Sequence, residues 1–293
     1  MIIHFVTCGT SILSETRLLE PLSIQAATDS ASGRAALEDM KAPLAQNDAV
    51  PWQSWADELV ERLATADTRE AERWSAELTS LFGADLVNGP VSGDDTVVLM
   101  ASDTSDGFAA AIVVGAVLAA RLPQLGVLTC YRDPGELGTP TSRLLVVSQP
   151  GLDPMGGRID VGLESIVDTM LAVLRPAGNG GRSCVTHLAG GFKATIPFLL
   201  LVLSAFRCAV HKNMTARVAF EKSDVQQVLL APIARMRASE LRAIATAMAK
   251  GGPVQAEVGA EFDQVYQIDG GLRPIGRAMA KFASALPTGD LHD

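Results

Sequence analysis

Short apolar runs and amphipathic stretches alternate along most of the chain. Ile2 to Thr7, Thr96 to Ala101, Gly126 to Tyr131, Leu144 to Val147 and Cys184 to Leu188 are aliphatic and β-branched runs bounded by turn formers. Runs of that length predict buried parallel strands. Between them other spacings appear. Trp52, Trp55, Leu59 and Leu63, then Ala71, Trp74, Leu78 and Leu81, recur at helical intervals and predict two amphipathic helices. Their tryptophans are read as core anchors, not as a stacking platform. Phe108 to Leu122 is apolar almost throughout. Ile159, Leu163, Ile166, Val167, Met170, Leu171 and Leu174 mark one face of a further helix. Ala194 to Phe206 predicts a core helix, and Pro197 places its start near Phe192 to Ile196, because proline is tolerated only in the first turn. Thr215 to Phe220 and Gln226 to Leu230 then read as an edge hairpin with Asp224 in its turn. Strands alternating with helices predict an α/β fold with a doubly wound, mostly parallel sheet.

Two regions break the pattern. Pro21 to Val50 is rich in Ala, Ser, Asp and Gln with weak periodicity, and reads as loop within an insertion over about 21–82. From Arg235 a helix, a strand at Phe262 to Ile268, an Asp269-Gly270-Gly271 turn and a last helix form a small appended α+β unit. The predicted division is a ligand-binding domain over 1–234 and a C-terminal unit over 235–293.

Composition narrows the class. The 293 residues are 48% hydrophobic with mean hydropathy +0.23, which supplies a sizeable core and excludes wholesale disorder. A net charge of −9 argues against a surface that coats nucleic acid. An anionic ligand would need a locally positive pocket. The four cysteines, Cys8, Cys130, Cys184 and Cys208, form no C-x-x-C pair, so they read as buried free thiols of a reducing compartment. The amino end carries no basic leader, and the longest apolar run falls short of a membrane span. The expectation is a cytoplasmic protein with no membrane partner.

Candidate chemistry gathers in three loops, each after a predicted strand: Gly9-Thr10-Ser11, Ser102-Asp103-Thr104-Ser105-Asp106, and Gly190-Gly191-Phe192-Lys193. In an open α/β sheet, ligands bind at the carboxyl ends of the strands. The hydroxyls of Thr10, Ser11, Ser102 and Thr104 and the amides of Gly190 to Phe192 could donate to phosphates, with Lys193 as the charge. Taken singly, each loop is explained as a helix cap or turn. Together, with a lysine in the tightest, they point to a phosphate-bearing ligand. Asp103 and Asp106 read as Asx caps before metal ligands, and no metal or cofactor is expected. His187, in an apolar strand, reads as a core histidine. Arg182-x4-His187 matches a ribonuclease spacing, but that motif needs a helix and here it spans the start of a strand.

These residues resemble one family. Gly9-Thr10-Ser11-Ile12-Leu13 resembles the G-T-S-L turn of CRISPR-associated Rossmann-fold (CARF) proteins. Ser102-Asp103-Thr104-x-Asp106-Gly107 resembles their second loop, and Gly190-Gly191-Phe192-Lys193-Ala194 their G-G-[FT]-K-A turn. Glu221-Lys222-Ser223-Asp224 before an apolar strand and Pro232 resembles their edge hairpin. The matches stand in family order over about residues 1–234. The resemblance implies a Rossmann-like homodimer that binds cyclic oligoadenylate, the second messenger of type III CRISPR defence, between two copies of these loops. Gly9, Thr10, Ser11, Ile12, Ser102, Asp103, Thr104, Asp106, Gly190, Gly191, Phe192 and Lys193 would line the site. Family members called ring nucleases cleave the ring without metal. By that analogy Lys193 would stabilise the phosphorane-like transition state, and Ser11 would position the phosphate or the 2′-hydroxyl. The expectation is a ring nuclease acting on cyclic tetra-adenylate. The alternatives are a non-catalytic sensor that works through a winged-helix-like tail, and an unrelated α/β nucleotide enzyme. The tail departs from the family's common effectors, since it lacks R-x(4–6)-H after residue 235. Its acidic and basic residues balance, which argues against a DNA-reading helix and for dimer contact or a cover over the ligand.

Overall fold

The apolar runs pair into one sheet. A computed structural model describes residues 1–14, 52–82, 90–152, 158–174, 182–190, 195–209, 213–219, 226–228, 267–268 and 271–272, with Arg277 and Lys281. Strands β1 (Ile2–Thr7), β2 (Thr96–Ser102), β3 (Leu128–Tyr131), β4 (Leu144–Gln149), β5 (Ser183–His187), β6 (Met214–Val218) and β7 (Gln226–Val228) lie in the order β3-β4-β2-β1-β5-β6-β7. The first six are parallel, and β7 returns antiparallel to β6 as the edge hairpin. The expected hairpin turn at Asp224, the loop of 21–50, Gly191 to Ala194 and most of 235–293 lie outside the described residues. Of the C-terminal unit, Gln267–Ile268 and Gly271–Leu272 form a two-stranded antiparallel ribbon about the expected turn.

Among the described residues five α-helices accompany the sheet: α1 (Trp52–Leu63), α2 (Ala76–Phe82), α3 (Ser105–Arg121), α4 (Ile159–Leu174) and α5 (Ile196–Ala209). Strand alternation divides the core into two layers. Val6, Val97, Leu99, Ala101, Leu144 and Val146 pack under α1, α2 and α3. Ile3, Phe5, Val98, Met100, Leu145, Val147, Cys184, Met214 and Ala216 pack under α4 and α5. Helix α3 is buried almost all round, as an apolar helix must be when it is covered on both sides. Its cover is α1, where Trp52 meets the Phe108 ring edge-on at 5.0 Å and Trp55 at 6.1 Å. The tryptophans are core residues.

One predicted element is corrected. The helical spacing from Ala71 to Leu81 does not give one continuous helix. A 3-10 turn at Ala71–Arg73 precedes α2, which starts at Ala76. Ser75 interrupts the run, because its side-chain oxygen accepts from the Leu78 amide at 3.3 Å and caps a fresh helix start. The break rotates Glu77 and Ser80 inward, and both are fully buried.

Strand β1 sits in the middle. The chain leaves it toward β2 on one side and later returns to β5 on the other. The crevice at the carboxyl ends of β1 and β5 is therefore the topological switch point, where doubly wound sheets take ligands.

Candidate functional site

Register brings the loops to one edge. Thr7 of β1 is aligned with Met100 of β2, Val6 with His187 of β5, and Ser102 of β2 with Gln149 of β4. The loops at 8–11, 102–107 and 188–190 thus leave neighbouring strands on the same side. Two of them meet at the end of β1: the Gly190 amide donates to the Thr7 carbonyl at 3.1 Å, and a β-carbon on Gly190 would lie 2.5 Å from the Gly9 nitrogen.

A carboxyl group wedges these two loops. Glu77, reaching up from α2, accepts from the Gly9 amide through Oε1 at 2.7 Å. A β-carbon on Gly190 would lie 1.6 Å from that same oxygen and 2.5 Å from the Gly9 nitrogen. Gly190 is needed here because Glu77 and Gly9 fill the space of a side chain. The amides of both Gly9 and Gly190 are thereby committed inside the protein. Donors for a phosphate must come from elsewhere in the loops.

Thr10 is exposed, and Ser11 is half-buried at the start of a 3-10 helix, Ser11–Ser14. Ile12 is buried in the core, so its side chain props the turn from beneath and does not face the crevice. In the second loop the Ser102 and Thr104 hydroxyls are 2.8 Å apart, and Thr104 caps α3 by accepting from the Gly107 amide at 3.1 Å. A β-carbon on Gly107 would lie 1.9 Å from the Ser102 hydroxyl, so this pair depends on glycine there. Asp103 accepts from the Gly151 amide at 2.9 Å and laces this loop to the one after β4. Asp106 is exposed in the first turn of α3. Gly191, Phe192 and Lys193 lie outside the described residues. Among the described residues no group of three or more His, Cys, Asp or Glu is placed to hold a metal ion, and no helix is long and apolar enough to cross a membrane.

Beneath the crevice, on the α2 side of the sheet, runs a buried polar column that sequence reasoning missed. His4 Nδ1 is 2.9 Å from His187 Nε2, and His187 Nδ1 is 2.6 Å from the Ser80 hydroxyl. His4 Nε2 faces an Asp95 carboxylate oxygen at 3.5 Å. Asp95 also accepts from the Ile2 amide at 2.6 Å and from the Ser92 amide and hydroxyl at 2.9 and 2.8 Å. One neutral hydrogen pattern runs through the row and leaves His4 Nε2 short of a hydrogen bond at its far end. Ser80 donates to His187, His187 donates to His4, and His4 turns its N–H toward Asp95. Burial, then the His4 ring and the Arg217 cation, push the His187 imidazole well below its ordinary pKa. Burial works to raise the Asp95 carboxyl, but contacts from the His4 ring, Ile2 and Ser92 outweigh it and hold the group well below the usual carboxylate range. Since 183–187 is a strand, the Arg182-x4-His187 spacing does not form the helical ribonuclease motif. Only His187 was singled out in the sequence. Glu77 and Ser80 stand three apart among helical residues, a spacing that signals a shared face but not one turned toward polar groups.

The thiols are not poised for chemistry. Burial, then the Glu77 carboxyl, raises the Cys8 thiol well above its usual value, and burial pushes Cys130 up to about 12. Cys8, Cys130 and Cys184 are free.

A doubly wound α/β domain with a polar crevice at its switch point is the class these features define. Within it, residues 72–214 match the sequence model of a CRISPR-associated protein family, Cas_APE2256. The match covers just under half of the chain, from the turn before α2 to the start of β6, and it supports a CRISPR association. A search of curated proteins finds no match.

Proposed function

We propose that the protein binds cyclic oligoadenylate at the carboxyl edge of β2, β1 and β5 and opens the ring. The observation that carries this reading is the meeting of the Gly9–Ser11 and Gly190 loops at the switch point, beside the 102–107 loop, in a chain matched to a CRISPR-associated family. The active form is a homodimer, because one patch used twice suits a ring of repeated nucleotides. A ribose 2′-oxygen attacks the adjacent phosphorus, the bond to the 5′-oxygen breaks, and that oxygen leaves with a proton. The product is linear and ends in a 2′,3′-cyclic phosphate. Lys193 stabilises charge on the phosphorus oxygens, and Ser11 orients the reacting groups. Neither role needs a metal, and the outcome switches off type III CRISPR signalling.

The test is incubation of the purified protein with radiolabelled cyclic tetra-adenylate in EDTA, alongside Ser11→Ala and Lys193→Ala. The expected result is linear product from the wild type and at least a tenfold loss of rate in both variants. A ring bound but intact after hours overturns the nuclease reading and leaves the sensor. One set of ion pairs favours that second reading. Arg277 and Lys281 of the C-terminal unit form ion pairs with Asp160 and Asp168 of α4, and Arg277 Nε lies 3.5 Å from Glu164. The tail is thus tied to a helix of the ligand domain, as a signal carried outward would require.

A further inference from the structure

Arg217 is the one large cation of the described core, and the two terminal nitrogens of its guanidinium are unmatched. It is 2% exposed, and neither Nη1 nor Nη2 has a hydrogen-bond partner. Among the described residues no carboxylate lies within ion-pair distance of it. It is aligned with His187 across the β5–β6 pair, and that imidazole is held neutral. A guanidinium stays charged at any physiological pH, and burying one uncompensated costs several kcal/mol.

Its place in the sheet says where a partner would come from. Met214 and Ala216 pack under α4 and α5, so Arg217 lies on the α2 side. Its carbonyl accepts from the Leu188 amide, the first residue after β5. One step further toward the carboxyl edge, Ala76, Ala189 and Ala219 form a cluster of small side chains. An arginine side chain spans about two residues of strand rise, roughly 6–7 Å, which reaches that level. Among the described residues, the small side chains of Ala76, Ala189 and Ala219 line that level, directly before Gly190 and the Glu77 wedge.

We propose that Arg217 is the floor of an anion site: its guanidinium takes a phosphate or phosphodiester group that enters at the carboxyl edge past Ala189 and Gly190. The planar fork of a guanidinium matches two phosphate oxygens at once. In the nucleotide reading it would grip one phosphate of the ring from below, so to that extent the inference rests on the proposed function. The anion chemistry does not need it.

The experiment measures two things on the full chain for wild type, Arg217→Met and Arg217→Lys. One is the melting temperature in inorganic phosphate against chloride at equal ionic strength. The other is affinity for cyclic tetra-adenylate. Wild type should melt higher in phosphate. Arg217→Met should melt at least as high as wild type in chloride, since an apolar chain of similar length removes an unpaired buried charge. It should lose the phosphate increment and bind the ring about ten- to a hundredfold more weakly, the worth of a charge-assisted pair. Arg217→Lys keeps the charge without the fork and should fall between. If Arg217→Met keeps both the increment and the affinity, or if wild type responds to neither anion, the proposal is overturned. If Arg217→Met does not fold, Arg217→Lys decides it, and unchanged affinity and increment in that variant overturn it. A phosphate increment lost in Arg217→Met, with no binding of the ring by wild type, sinks the oligoadenylate reading and leaves the anion site standing.

Discussion

On the α4–α5 side of β1 and β5 stand Ile3, Phe5 and Cys184; one residue along, on the α2 side, stand His4 and His187, with Arg217 beside them on β6. Both sides are equally dry. The first is held by apolar area, which tolerates small shifts as long as volume is filled. The second is held by donors and acceptors at fixed distances, which does not. The polar side also makes the contacts to the loops: α2 sends Ser80 down to His187 and Glu77 up to Gly9. Around β1 and β5, site geometry therefore falls on the α2 face, where polar groups share the core with Val6, while the α4–α5 face is packing alone. Substitutions on the two faces should separate stability from site geometry.

The largest expected effect is on the apolar face. Phe5 is fully buried, and Phe5→Ala should cost about 3–5 kcal/mol in urea unfolding through lost burial and a residual cavity. The folded fraction should keep near wild-type affinity for ligand. A large affinity loss per folded molecule would break the division between faces. Next comes Gly190→Ala. The added carbon cannot coexist with Glu77 Oε1 at 1.6 Å, so either the wedge or the loop must move. We expect about 3 kcal/mol of destabilisation, within the range of overpacked sites, together with loss of ligand binding. A fully stable, fully binding variant would show that the two loops are not locked together.

The pH limb comes third. His187 has a folded pKa well below its unfolded value of about 6.5, so the unfolded chain takes up a proton that the native protein refuses. Stability is full above about pH 6.5 and falls as the pH drops through and below it, by about 1.4 kcal/mol per unit for one group. Asp95, held low, adds a loss in the same direction at more acid pH. Urea midpoints between pH 7.5 and 5 should therefore decline before ordinary carboxylates titrate. His187→Gln, which cannot take up the proton, should flatten that decline, and an unchanged slope would remove His187 as its source.

How much of this was legible follows from the same contrast. Periodicity reports apolar surface, so the strands from β1 to β6, the buried α3 and the edge hairpin were all readable, with ends off by at most three residues. Turn chemistry was readable only in part: the 102–107 loop does cap α3, but through Thr104, whereas Asp103, read as an Asx cap, accepts from the Gly151 amide. The polar column was not. Asp95 and His4 are far apart in sequence and meet only through β1–β2 pairing, and Ser80 comes from an element whose break at Ser75 could not be seen in a clean helical spacing. Arg217 drew no reading of its own, because a single charged residue inside a short strand says nothing of which face it takes. Gly190 was readable as necessary, but the reason is a carboxyl group from more than a hundred positions away.

The smallest expected effect on stability is the sharpest test of the comparison. Glu77→Gln keeps an oxygen that can accept from the Gly9 amide and keeps the volume of the wedge. It replaces the other carboxyl oxygen with an N–H donor group. The cost to stability should be about 1 kcal/mol, typical of one altered buried hydrogen bond. Its effect on the loops should be larger than that figure suggests, because Glu77 sets the distance between Gly9 and Gly190 and so the relative position of the groups that follow them. A shift of about 1 Å in such an arrangement costs on the order of a hundredfold in rate. Phe5→Ala and Glu77→Gln thus make opposite predictions: a large loss of stability with the ring still bound and opened, against a small loss with slow opening. If Glu77→Gln melts within a few degrees of wild type and opens cyclic tetra-adenylate at the wild-type rate, the polar face is packing like any other, and the loops are placed by their own strands.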